Sequence, residues 1–296
     1  MQQMTLAKAL QSAATRLRAV GIDDAQLEAE LLLRHALGVS REQLFVRLQE
    51  RMPAGIVEHY DALLTRRLAR EPSAYITGHR EFYGLDFACS SDALVPRPET
   101  ELLVETAIAW ARRRAEGNAP APLTYDSRPL VADIGTGCGA IAVALAVHLP
   151  GARIVASDTS PPALRLARRN AEAHGVADRI DFVQMSLLSG LRGRFGLIVA
   201  NLPYIRSRTY SKLPPEIREH EPPSALRAGR RGTALIEALL PQAASRLRPG
   251  GLLLAEHAWN QGGRLRDAAC ESFPMAAIST RRDLAGRERM LVVQTE

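Results

Sequence analysis

Two neutral hydrogen-bond acceptors side by side at the end of a buried strand suit one kind of guest, a planar NH2 group with two hydrogens to donate. Asn201-Leu202-Pro203-Tyr204 offers such a pair. It follows the apolar run Gly196-Leu197-Ile198-Val199-Ala200, which reads as a buried strand too short for a helix. Pro203 lacks an N–H, fixes its own φ and holds Leu202 extended, which leaves the Leu202 carbonyl free beside the Asn201 side-chain amide. Tyr204 supplies a flat face for the guest to pack on. The chemistry this lip predicts is methylation of an amide or amino nitrogen, given a methyl donor site nearby.

That donor site is sought in Asp133-Ile134-Gly135-Thr136-Gly137-Cys138-Gly139, at the carboxyl end of one strand and the start of a helix. Glycines there let the backbone approach a ligand closely, and a helix N-terminus favours an anion. Asp158 closes the next strand, about 20 residues on, where a carboxylate accepts both ribose hydroxyls of a nucleoside. Gly135-x-Gly137-x-x-Ala140 also satisfies the loose dinucleotide fingerprint, so a nicotinamide dinucleotide competes. Three features favour S-adenosylmethionine. The Asp133 carboxylate can meet the methionine ammonium, the anion at the helix being a carboxylate. Hydride transfer has no use for an amine-binding lip. The chain also ends in what reads as an antiparallel hairpin, unlike a plain dinucleotide half.

The elements that must hold these residues form an α/β fold. From Leu130 strands and helices alternate, the pattern of a doubly wound parallel sheet. Strands are predicted at 130–134, 154–158, 180–183, 196–200, 252–256, 276–280 and 290–294, and helices at 140–149, 162–174, 233–247 and 261–271. The last two strands pair across Arg282-Asp283-Leu284-Ala285-Gly286. Residues 1–77 are helical throughout: Asp23 and Asp24 cap a helix that stops at Gly38, Ser40 and Gln43 have capping-box spacing, and Pro53 opens a further helix. That stretch, 1–77, is expected to be a helical bundle, either a partner-binding domain or a scaffold, with 78–97 a hairpin and linker and 98–296 the methyltransferase domain. Pro96-Arg97-Pro98-Glu99-Thr100-Glu101 reads either as a helix start whose acidic residues suit the dipole or as a stiff strap that brings Arg97, Thr100 and Glu101 against the site, and 117–128 reads as a surface loop.

Composition narrows the class. At 296 residues, 46% apolar and 24% charged, the chain has room for two globular domains. No run reaches the length of a membrane span and no signal-peptide pattern opens the chain. Cys89, Cys138 and Cys270 are scattered, which indicates neither disulfides nor zinc and favours a cytoplasmic setting. The net charge of +6 is weak testimony about partners, because Lys8 and Lys212 are the only lysines and the arginines form no block. Among the 7 histidines there is no triad or HExxH pattern, and each reads as a surface or helix-face residue. No metal is expected.

Over nearly its whole length the chain resembles the release-factor glutamine methyltransferases. The likeness rests on the helical N-terminal domain, Gly78-His79-Arg80-Glu81-Phe82-Tyr83-Gly84, the strap at 96–101 and the loop at 133–139. It continues through Asp158, Ala163-Leu164, Asn170, the lip, Glu221-Pro222, Ala225-Leu226, Glu256, Gln261 and Arg282-Asp283-Leu284. It implies a seven-stranded Rossmann-like S-adenosylmethionine-dependent methyltransferase fold with a small helical domain. The implied reaction moves a methyl to the side-chain nitrogen (N5) of the glutamine in a Gly-Gly-Gln loop of peptide chain release factors, with S-adenosylhomocysteine as coproduct. The helical domain would help dock a release factor, nucleic acid is not expected as substrate, and a monomer is expected. Implied cofactor contacts are Asp133, Gly135, Thr136, Gly137, Cys138, Gly139, Asp158, Ser186, Leu187 and Asn201; implied substrate contacts are Phe82, Arg97, Thr100 and the lip 201–204. Two departures stand out. Leu202 replaces the family's usual Pro, giving a form also found in ribosomal-RNA adenine methyltransferases. Ser186 replaces an Asp that would face the adenine amino group, which costs on the order of 1 kcal/mol; Leu187 can still cover the ring. The readings left open beside the leading one are an adenine N6-methyltransferase on RNA or DNA, a ribosomal-protein glutamine methyltransferase and a non-catalytic module on this fold.

Overall fold

The computed structural model describes residues 4–115 and 130–296; the surface loop expected at 117–128 lies outside them. The chain forms two compact units, one of Met1–His79 with Pro214–His220 and one of Arg80–Leu213 with Glu221–Glu296.

The first unit is built from α1 (Leu6–Ala19), α2 (Ala25–Leu37), α3 (Arg41–Val46), α4 (Ala54–Leu68) and α5 (Ser73–Thr77). Leu6, Leu10, Leu17, Leu32, Leu33, Leu44, Leu63 and Leu64 close one apolar core, with Ala13 and Ala14 between Leu10 and Leu17 keeping the α1 face at helical spacing. Ser40 and Gln43 form the reciprocal capping box at the start of α3, and Gly38 ends α2 in the left-handed region. Asp24 stands at the α2 cap position without a side-chain bond, and Pro53 precedes the first residue of α4 instead of opening it. Residues 214–220 belong to this unit, which a division at residue 77 did not include: Glu216 receives Arg67 at 3.1 Å and Arg70 at 2.7 Å. Arg67, only 4% exposed, also reaches Glu28.

The second unit opens with the hairpin β1 (His79–Phe82) and β2 (Leu85–Ala88), then α6 (Glu101–Ala115). Its main sheet takes β3 (Leu130–Ile134), β4 (Arg153–Asp158), β5 (Ile180–Gln184), β6 (Phe195–Ala200), β7 (Leu247–Glu256), β8 (Ala277–Arg282) and β9 (Glu288–Gln294) in the order β5-β4-β3-β6-β7-β9-β8. β5, β4, β3, β6 and β7 run parallel, and β9 is antiparallel to both β7 and β8. The predicted end hairpin is therefore present. Helices α7 (Ala140–His148) and α8 (Pro161–Ala173), together with α6 and the hairpin, contribute to one apolar cluster; α10 (Ala234–Arg246) and α11 (Gly262–Ser272) contribute to a second; the short α9 (Ser207–Tyr210) follows the lip. Alternate residues of β6 serve the two clusters, Leu197 and Val199 one and Ile198 and Ala200 the other, so the strand is buried from end to end and reads as a continuous apolar run. β7 begins five residues before the predicted Leu252. Leu247 already pairs with Phe195, and the register then shifts, so Gly250-Gly251 forms a bulge inside the strand.

Candidate active site

At β3 the strand order turns from β4 on one side to β6 on the other, so a crevice opens at the carboxyl ends of these strands. A cavity occupies that place, wholly within the second unit. Gly135, Thr136, Gly137 and Cys138 line it, and so do Asp158, Ser186, Leu187, Asn201, Leu202 and Pro203. Of the predicted residues Phe82, Arg97 and Thr100 line it too, whereas Asp133, Gly139 and Tyr204 do not.

The loop's three glycines do different work. Gly135, Gly137 and Gly139 all have left-handed φ. A Cβ on Gly137 would meet nothing within 4 Å and would project into open space. One on Gly139 would lie 3.0 Å from Ala167 Cβ and 3.1 Å from its Cα, so this glycine serves close packing on α8. The Gly135 and Thr136 N–H groups both donate to the Ser157 carbonyl and tie the loop to β4. Asp133 lies fully buried: Oδ2 accepts from Thr136 Oγ1 at 2.7 Å and Ala142 N at 3.1 Å, and Oδ1 has no partner among the described residues. Burial pushes its carboxyl up to about 7, against the two hydrogen bonds. Asp158 is held by Gly137 N and Ser160 N, both at 2.9 Å, one on each oxygen. Each oxygen retains a lone pair for a hydroxyl. Leu187, at the cavity wall, has a φ of 52°, a rare conformation for a branched side chain that nothing in the sequence signals. Cys138 is buried and its thiol is pushed up to about 12, which leaves it no nucleophile.

At the lip, Asn201 Nδ2 donates to Thr100 Oγ1 at 3.0 Å, and among the described residues nothing donates to Asn201 Oδ1 or to the Leu202 carbonyl. The Leu202 side chain is 6% exposed and turns inward; a Cβ on Gly135 would stand 3.0 Å from its Cδ2. Tyr204 points its hydroxyl at Glu256 Oε1, 2.9 Å away, and its carbonyl is held by Gln261 Nε2 at 3.0 Å. Its ring therefore stands behind the lip.

The strap delivers Arg97 and Thr100 to the cavity, but Glu101 turns away. Its Oε1 accepts from Tyr83 N at 3.1 Å, and Tyr83 has a left-handed φ of 53° in the β1–β2 turn. Arg97 pairs with Glu221, whose carboxyl is 3% exposed and raised by burial, with the guanidinium opposing that rise. Asn170 joins the hairpin to the loop: Oδ1 accepts from Ala88 N, and Nδ2 donates to the Ala88 and Cys138 carbonyls. Glu221 and Glu256, two further buried carboxylates, carry roles that strand and loop patterns did not reveal. The sequence marks both only through the family likeness that runs through Glu221-Pro222 and Glu256. His257, expected on a surface, is fully buried, with Nδ1 2.9 Å from the Ala258 carbonyl. Among the described residues no cluster suited to a metal occurs and no helix is long and apolar enough to cross a membrane.

A parallel sheet with one antiparallel strand slotted beside its last parallel member, and a glycine-turned cavity over its switch point, is the arrangement of the S-adenosylmethionine-dependent methyltransferases. Solved structures bear the fold out. The hMettl16 catalytic domain in complex with an RNA hairpin superposes with a TM-score of 0.56 at 17% identity, over 76% of this chain and 81% of that one. A methyltransferase from Pyrococcus furiosus gives 0.51 at 15% identity, over 79% and 96%. The PrmC N-terminal domain family matches residues 8–78 and the methyltransferase small domain family residues 122–213. The release factor glutamine methyltransferase of Bradyrhizobium diazoefficiens is 41% identical over 96% of this chain and 93% of its own length; that of Moorella thermoacetica is 40% identical over 97% of each. The chain belongs to the release factor glutamine methyltransferase family.

The residues present fit the family's cofactor. Beside the open face of Gly137 stand a carboxylate with free lone pairs, Asp158, and the apolar Leu187; beneath the loop, Asp133 Oδ1 is an acceptor without a partner among the described residues.

Proposed function

We propose that the chain transfers the methyl group of S-adenosylmethionine to the side-chain amide nitrogen (N5) of the glutamine in a Gly-Gly-Gln loop of peptide chain release factors. One observation carries this reading: Asn201 Oδ1 and the Leu202 carbonyl, both without hydrogen bonds among the described residues, belong to residues at the end of β6 on the wall of the cavity that the glycine loop also lines. When bound, the cofactor supplies an already activated sulfonium methyl. The work left to the protein is alignment of the nitrogen with that carbon. An amide nitrogen is a poor nucleophile because its lone pair is delocalised. Two acceptors on its hydrogens fix the plane of the group and stabilise the positive charge that develops on nitrogen. No strong general base is required, and no histidine lines the cavity. Asp158 would take the ribose hydroxyls, Ser186 and Leu187 the adenine edge and face, and Phe82, Arg97 and Pro203 the approach of the substrate loop. The same reading makes the enzyme a cytoplasmic monomer whose helical unit contacts the release factor.

The test is methyl transfer from radiolabelled S-adenosylmethionine to a mixture of release factor, ribosomal protein and RNA. A labelled release factor supports the reading, and Asn201→Ala abolishes the label while the cofactor still binds. A labelled RNA band would replace it with adenine N6 methylation, which shares the lip and shows steep salt dependence.

A further inference from the structure

The Asn201 amide has one face that accepts and one that donates, and only the accepting face can hold an NH2 group. Which face looks into the cavity is decided by the other end of the amide. Asn201 Nδ2 lies 3.0 Å from Thr100 Oγ1, and Thr100 Oγ1 lies 2.7 Å from Glu256 Oε2. A hydroxyl owns a single proton. Given to the carboxylate, which is acceptor-only when ionised, it leaves the Thr100 oxygen able only to accept, so Asn201 must present its NH2 there and its oxygen to the cavity. Thr100 and Glu256 are 4% and 2% exposed, so water offers neither group an alternative partner. The second carboxylate oxygen is occupied by the Tyr204 hydroxyl at 2.9 Å, and Gln261 anchors the Tyr204 carbonyl while its own Oε1 receives Ala258 N at 2.9 Å. Every member of the chain thus has its direction set by the next.

We infer that Thr100 and Glu256 are positioning residues: they fix the direction of a hydrogen-bond chain that ends at Asn201 and thereby hold its carbonyl oxygen toward the methyl acceptor. The inference rests on the reading that the lip grips an NH2 group. It explains why a carboxylate is buried at the end of β7, where an amide of the same shape would be cheaper to bury. A glutamine there could donate to Thr100 and reverse the chain.

The experiment compares Thr100→Val, which keeps the shape and removes the hydroxyl, with Thr100→Ser and Glu256→Gln. Misdirecting one group at the reacting nitrogen lowers kcat/KM for the methyl acceptor about 100-fold in Thr100→Val, and Thr100→Ser recovers most of that loss. S-adenosylmethionine affinity, measured by calorimetry, stays within about twofold of wild type because the chain lies on the acceptor side. A second readout needs no methyl acceptor. The Asn201 side-chain NH2 resonances, assigned by their loss in Asn201→Ala, exchange slowly with solvent in wild type and Thr100→Ser and rapidly in Thr100→Val. If Thr100→Val fails to fold, Glu256→Gln carries both comparisons. Turnover within about threefold of wild type in the valine variant, or a serine variant as impaired as the valine one, overturns the inference. So does unchanged exchange. If instead the wild type labels no release factor but the exchange pattern holds, the functional reading falls and the positioning chain stands.

Discussion

Replacing Gly139 by alanine separates the architecture of the cofactor loop from its binding surface. The new Cβ would sit 3.0 Å from Ala167 Cβ, 3.1 Å from its Cα and 3.4 Å from its carbonyl oxygen, all on a helix that cannot swing aside as a flexible side chain would. The backbone φ of 85° adds the left-handed penalty, roughly 1–2 kcal/mol for a residue with a Cβ. Forced overpacking adds about 1–3 kcal/mol. A loss of about 2–5 kcal/mol is expected, which for a unit of this size lowers Tm by about 4–20 °C. Gly137→Ala is the control: its φ of 57° brings the strain alone, since nothing stands within 4 Å. Thermal melts of the two cofactor-free variants should therefore diverge, with Gly139→Ala melting lower. Calorimetric titration with S-adenosylmethionine should rank them the other way, with Gly137→Ala the weaker binder because its Cβ enters the cavity. A Gly139→Ala variant that melts within about 2 °C of wild type would refute the packing argument.

Arg97→Ala leaves the buried Glu221 carboxyl without its counter-charge and should cost roughly 1–3 kcal/mol, less than a fully buried pair because Arg97 is partly exposed; adding Glu221→Gln should restore part of it, as read from denaturant midpoints. Leu202→Ala should destabilise by about 2–4 kcal/mol through the void left against Gly135, whereas Leu202→Pro should keep methyl transfer because the acceptor is a main-chain carbonyl. Asp133 makes the cofactor-free protein's stability depend on pH. Its carboxyl titrates near 7 when folded but in the ordinary carboxylate range when unfolded, so the native state holds the extra proton and stability falls as pH rises from about 4 to 7. Asp133→Asn should flatten that slope in melts taken across the window, whatever it does to the absolute Tm. Turnover should also fail on the acid side. Burial raises the Glu256 carboxyl, with Glu99 opposing ionisation and Arg289, Thr100 and Tyr204 favouring it; once protonated it can donate to Thr100 and free Asn201 to turn. Glu256→Gln should abolish that acid limb in a kcat/KM profile.

Much of this site could be read in the sequence because its chemistry is local. The glycine loop, the carboxylate closing β4 and Asn-Leu-Pro-Tyr each lie within a few residues of a strand end, and the alternation of apolar runs with amphipathic helices places those ends together. What stayed hidden depends on partners far along the chain. Thr100 and Glu256 are 156 positions apart, and Glu101 reads equally well as a site residue until Tyr83 N is found on it. Asp133 shows the converse limit: its spacing before the first glycine marks it, yet whether its carboxylate faces the cavity or the underside of the loop follows from the Thr136 and Ala142 bonds. The bulge in β7 escaped because a Gly-Gly pair signals a turn as readily as an irregular strand.

The membership of 214–220 in the helical unit bears on the order of assembly during synthesis. When the first 79 residues have left the ribosome, Arg67 and Arg70 have been delivered but the carboxylate that accepts from both has not. A nascent chain at that stage offers the nearly solvent-free Arg67 only Glu28 of its two acids, and Arg70 still lacks Glu216. Closure of the helical unit is therefore a late event, completed only after more than two hundred residues have emerged, and an isolated N-terminal fragment would be less resistant to proteolysis than the same helices in the whole protein.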